Sequence, residues 1–125
     1  MKRVPTEIRK HWQRVVELGC IVTGSKIASI HHVHGGSIID AFGYAQNPGM
    51  AQRQNHWLVI PLHPQLHYLG GGIDNGMGKT KSVVDWEANY GRQSDFLGAV
   101  RERIRERYGY DIYERAGVSR AARDS

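Results

Sequence analysis

The chain has 125 residues, a single cysteine, and 17 Lys and Arg against 12 Asp and Glu, giving a formal charge of +5 and a pI near 9.6. That length suits one domain with a modest core and is too short for two independent ones. The lone Cys20 excludes an intramolecular disulfide framework and a four-cysteine zinc cage, and no apolar stretch approaches the roughly 20 residues a membrane helix needs. The expectation is a cytoplasmic protein with no membrane partner, whose basic surface attracts a polyanion such as nucleic acid.

Pro5 and Thr6 precede Ile8, Trp12, Val15 and Val16, whose spacing puts them on one helical face, and Gly19 supplies a stop. This predicts a packed N-terminal helix, with His11 on its surface or partly buried. Cys20–Val22 and Ser29–Val33 flank the turn-like Thr23-Gly24-Ser25 and read as a β-hairpin whose second strand ends at the pair His31-His32. From Gly35 to Gln54 there is little periodicity, and so long a connection in a small domain is a candidate functional loop. Trp57–Pro61 reads as a short strand. Pro64 fits the first turn of a helix with His63 as its N-cap, which sets His63 and His67 one turn apart on one face.

Gly70-Gly71-Gly72 ends that helix and opens a loop containing Gly78-Lys79-Thr80. A phosphate-binding P-loop would require glycine where Ile73 stands, so Lys79 and Lys81 are better read as backbone-phosphate contacts or solvated side chains. Ser82 and Asp85 form a capping pair for a helix through Trp86 and Tyr90, closed by Gly91. A further helix begins near Ser94, with Phe96, Leu97, Val100, Ile104 and Tyr108 recurring at helical spacing. The expected domain covers 1–113, and 114–125 reads as a disordered basic tail.

Six of the seven histidines fall between Ile30 and Tyr68. Imidazole is a frequent metal ligand and also suits a general base at neutral pH, so an adjacent pair can divide the two roles between them. His63 and His67 have the spacing that one metal ion accepts from a helical face, and with His31 they give three ligands and leave positions open for water and phosphate. His32 is then the base, oriented by Asn55 through a side-chain or backbone hydrogen bond. His34 lines the cleft or contacts phosphate, Arg53 precedes Asn55 as a candidate DNA contact, and His56 is either a substrate contact or the residue that takes Asn55's place.

The ordered set His31-His32, Asn55, His63 and His67, on strand, loop and helix, resembles the HNH, or ββα-metal, endonucleases. A closer resemblance runs from His11 to about Ile104: HWQRVVELGCIV, SIHHVHGG, NHWLVIPLHPQLH and WEANYGRQSDFL are similar to the Ref-type, RecA-dependent HNH nucleases of phages and prophages. The resemblance implies an α+β fold with a ββα-metal core, an N-terminal helix and C-terminal helices. It implies DNA hydrolysis with one divalent ion (Mg, Mn, Zn or Ni), action on single- or double-stranded DNA in a phage or prophage setting, and a RecA filament as candidate partner. The family's Cys-x-x-Cys pair and Cys-x-x-His-His run are broken here: Cys20 remains, but Thr23, His63 and Leu66 replace other members. The expectation is therefore no structural zinc and a His63 released to the catalytic ion; the competing arrangement is a degenerate zinc site built on Cys20 and His63. The rival functions are a non-catalytic DNA-binding recombination accessory that keeps the fold, and a small zinc-stabilised interaction protein.

Overall fold

The computed structural model describes residues 4–42, 55–70, 72–74 and 82–118, in the order α1 (Thr6–Glu17), β1 (Ser29–His32), α2 (Ser37–Phe42), β2 (Val59–Leu62), α3 (Pro64–His67), α4 (Val83–Tyr90), α5 (Gln93–Tyr108) and α6 (Ile112–Ala116). Helices with one two-stranded antiparallel sheet make the domain α+β. No helix among the described residues is long and apolar enough to cross a membrane.

The strand β2 reads Val-Ile-Pro-Leu without polar alternation, and all four residues are buried, the pattern of a strand covered on both faces. The helices α1 and α5 both pack against it. Pro61 has no N–H to give a ladder, which suits a strand paired only on one side. Its partner is β1, in the register Ser29 to Leu62, Ile30 to Pro61, His31 to Ile60 and His32 to Val59. Because strand side chains alternate, Ser29 and His31 share one face, and Ile30 and His32 share the other.

The expected hairpin between 20–22 and 29–33 does not form. Cys20–Ser25 closes on itself instead, the Cys20 N–H donating to the Ser25 carbonyl at 2.7 Å and the Gly24 N–H to the Cys20 carbonyl at 2.8 Å. Only the Ile21 N–H reaches the sheet, at the Pro61 carbonyl. The glycines and polar residues here satisfy a turn better than a ladder, so β1 pairs across the long connection with β2.

Three more departures concern helices. Ser37–Phe42, expected as loop, is the helix α2; the Glu87 carboxylate accepts from the Ser37 N–H at 2.8 Å and the Gln93 N–H at 2.7 Å, so one side chain serves the amino ends of α2 and α5. The expected boundary at Tyr113 falls inside α6, which is capped by Asp111, whose side chain accepts from the Tyr113 N–H at 3.0 Å. The third is His11, which is wholly buried: its Nε2–H donates to the Trp57 carbonyl at 3.1 Å, and Nδ1 accepts from the Tyr110 hydroxyl at 2.7 Å. The elements α1, α4 and α5 otherwise follow the expected patterns, including the Ser82 side chain accepting from the Asp85 N–H at 3.1 Å. The core gathers Val15, Leu58, Ile60, Leu62, Leu97, Val100 and Ile104 around Trp86, whose indole N–H donates to the Leu66 carbonyl at 3.0 Å.

Candidate metal centre

On the Ser29 face of β1, His31 is fully buried, and its Nδ1 lies 2.9 Å from Asp74 Oδ2. From α3, His67 Nε2 comes within 2.8 Å of the same oxygen. His34, just past the strand, places Nε2 2.8 Å from Asp74 Oδ1. The ring of His31 stands 5.2 Å from that of His67 and 5.3 Å from that of His34.

Asp74 reaches this position because the chain folds back on α3. The N–H groups of Gly72, Ile73 and Asp74 donate to the carbonyls of Leu69, Leu66 and His67 at 2.7, 2.9 and 2.8 Å. Gly72 permits the return: a Cβ there would collide with the backbone of His67 and Tyr68. Burial alone would raise the Asp74 carboxyl, but the three imidazoles outweigh it and hold it far below the usual carboxylate range. Burial pushes the His31 pKa down, against the pull of Asp74 and Gln93.

Three ligand atoms, one each from His31, His67 and Asp74, all lie within 4.8 Å of one another, and this set could hold a metal ion. Two imidazole nitrogens and a carboxylate oxygen form a donor set that divalent transition metals accept, with coordination positions left over for water or substrate. The set comes from a strand, a helix and the turn after that helix.

Sequence reasoning puts His63 in Asp74's place. Among the described residues, no group of three metal-binding side chains includes His63 or Cys20. His63 is the N-cap of α3, as expected, and its Nδ1 accepts from the Gln65 N–H at 3.1 Å, so that nitrogen is engaged locally. The Cys20 sulfur accepts from the Thr23 N–H at 3.5 Å, and Leu66 belongs to the core. Asp74 escapes sequence reasoning because it sits in a glycine-rich stretch that reads as a phosphate-contacting loop. The available signal is a carboxylate just beyond a glycine run that follows a ligand histidine.

His32 faces away from this cluster. Its Nε2 lies 3.0 Å from His56 Nδ1, and the rings of Trp12, His32 and His56 meet edge to face at 5.2–5.5 Å. Burial, with the charges of His56 and His31, lowers the His32 pKa to about 4, so the ring is neutral at physiological pH. The side chain next to His32 is therefore His56. Asn55 instead ties the chain together, its Nδ2 donating to the Ala116 carbonyl at 2.8 Å and its Oδ1 accepting from the Trp57 N–H at 3.1 Å. Arg53, Lys79 and Lys81 lie outside the described residues, as does the tail from 119 onward.

Comparison of the chain with family models, with curated proteins and with solved structures finds no match in any of the three, so the functional reading rests on the geometry around His31, His67 and Asp74 and on the residue pattern itself.

Proposed function

We propose that the protein is a metal-dependent DNA endonuclease of the HNH type, which hydrolyses phosphodiester bonds with one divalent ion held by His31, His67 and Asp74. The observation that carries this reading is the convergence of those three ligand atoms within 4.8 Å. The order β1, β2, α3, with one ligand on the first strand and another on the helix, supports it, as does the net positive charge of the chain. A divalent ion bound there supplies charge neutralisation at the phosphate and at the departing oxygen.

The sequence resemblance gives the proton of the attacking water to His32, whose ring lies on the other face of β1, against His56. One observation favours a second assignment of that role: His34 shares the ligand cluster's face and pairs with Asp74, the arrangement in which a carboxylate orients a working imidazole. Binding to DNA is through the phosphate backbone, so affinity falls steeply with salt. A RecA filament on single-stranded DNA is the partner that the sequence resemblance offers.

The test is nicking of supercoiled plasmid with Mg²⁺, Mn²⁺, Zn²⁺ or Ni²⁺, with and without RecA, for wild type and for His31→Ala, His32→Ala and His34→Ala. Wild type is expected to nick and His31→Ala to be inactive; whichever of the other two loses turnover while still binding metal identifies the base. A wild type that binds DNA and never nicks under any of these conditions turns the reading over to a non-catalytic recombination accessory.

A further inference from the structure

The side chain of Gln93, the first residue of α5, is completely buried and touches the candidate centre from behind. Its Nε2 donates to the His34 carbonyl at 2.7 Å, and its Oε1 accepts from the His34 N–H at 3.1 Å. A carbonyl only accepts and an amide N–H only donates, so the orientation of the Gln93 amide is fixed. The same Oε1 stands 3.0 Å from His31 Nε2. That contact is a hydrogen bond only if His31 Nε2 carries the proton, which leaves the lone pair of the neutral ring on Nδ1, facing Asp74.

A second oxygen does the same for His67. The Ser29 hydroxyl donates to the Leu62 carbonyl at 3.3 Å, and its oxygen lies 2.6 Å from His67 Nδ1. When that proton goes to Leu62, Ser29 accepts from the His67 Nδ1–H, and His67 Nε2 then turns its lone pair to the same Asp74 oxygen. With both of those nitrogens unprotonated, two lone pairs and an ionised oxygen face one another and repel unless a cation lies among them. A divalent metal ion placed among these three atoms is a cation that relieves the repulsion.

We propose that Gln93 and Ser29 are positioning residues that select the ligating nitrogens, so that a divalent transition metal is held by His31 Nδ1, His67 Nε2 and an Asp74 carboxylate oxygen. The proposal rests on the reading of this cluster as a metal centre. Each ligand histidine then gives its other N–H to a protein oxygen, the arrangement that fixes tautomer and ring orientation at metal sites. The Gln93 amide is itself held in place, because its backbone N–H donates to the Glu87 carboxylate that also receives Ser37.

The test uses ¹⁵N-labelled protein loaded with zinc, and long-range ¹H–¹⁵N correlation spectra of the imidazoles. The expected result is zinc on Nδ1 of His31 and on Nε2 of His67. Zinc titrations should show affinity about 10–100-fold weaker in Gln93→Met, which keeps the volume without the acceptor, and in Ser29→Ala, with Ser29→Thr restoring most of it. Thermal melts by circular dichroism establish that each variant is folded; should Gln93→Met unfold, the serine pair still decides. Zinc on His31 Nε2, or unchanged affinity in Ser29→Ala and in a folded Gln93→Met, overturns the proposal. A wild type that takes up no zinc overturns the metal-centre reading beneath it, and is distinguished by the absence of any metal-shifted imidazole resonance.

Discussion

Asp74 is tied to His67 twice: its backbone N–H donates to the His67 carbonyl at 2.8 Å, and its Oδ2 lies 2.8 Å from His67 Nε2. The backbone bond delivers the carboxylate to the imidazole, so the pair lies within one local segment, to which β1 adds His31. Removing the carboxylate should therefore cost metal affinity more than removing His63. Asp74→Ala is expected to weaken zinc binding by more than ~100-fold, beyond the ~10–100-fold usual for a lost outer partner, whereas His63→Ala stays within a few-fold of wild type. Isothermal titration of both variants checks the contrast, and equal losses would return His63 to the ligand set.

A methyl group at position 72 should act on the same site from a distance. In Gly72→Ala the added Cβ meets the His67 and Tyr68 backbone and forces the 72–74 segment away from α3. The expected outcome is a loss of zinc affinity approaching that of Asp74→Ala, with little change in helix content by circular dichroism. Unchanged affinity would mean that Asp74 reaches the histidines by another backbone path.

The residues of this site are unevenly legible in the sequence. His31 and His67 can be read because strand and helix spacing determine where their side chains point, and the N-cap role of His63 follows from Pro64. The partnership with Asp74 cannot be read, since it depends on a backbone reversal after Leu69 that no periodicity announces. The helices α1, α4 and α5 are visible through apolar spacing and caps, while α2 and α6 are too short to show a period. The turn at Cys20–Ser25 imitates a hairpin because β-branched residues flank it, and His11 looks superficial because its burial depends on Trp57 and Tyr110, both far away in the chain.

His11 makes stability sensitive to acid. Burial lowers its pKa from 6.5 to about 4 in the folded chain. Between those values the unfolded chain binds a proton that the folded one refuses, so stability rises with pH across this window and falls on acidification from about 6.5 to 4. The full effect for one such group is roughly 3 kcal/mol. Urea unfolding of metal-free protein at pH 7.5, 5.5 and 4.5 should show the decline, and it should be shallower in His11→Phe, which is less stable throughout because Tyr110 and Trp57 lose their partner. An identical pH slope in the variant would assign the acid sensitivity to other groups.

Asp111 is the hinge of the carboxyl-terminal packing. Its oxygens receive Arg101 Nε and an Arg101 amino nitrogen at 2.8 Å each and Arg105 at 3.2 Å, while also capping α6. The arginines hold its carboxyl well below the usual range. Loss of a cap with a charge-assisted pair predicts that Asp111→Ala costs about 2 kcal/mol, and that Asp111→Asn, which keeps the cap, costs about half as much. Denaturant midpoints measure both. Equal losses for the two would show that the ion pair, and not the cap, carries the effect.

The alternation along β1 has a consequence for how the adjacent histidines tolerate error. If β1 slipped by one residue against β2, every side chain on the strand would exchange faces, and His32 would turn toward α3 and Asp74 in place of His31. The metal-facing side would still display an imidazole. It would, however, present Ile30 where Ser29 stands, and His67 would face a hydrocarbon instead of a hydroxyl. Two histidines in succession make the strand's ligand insensitive to its register, and the small polar residue two positions earlier is what tells the two registers apart.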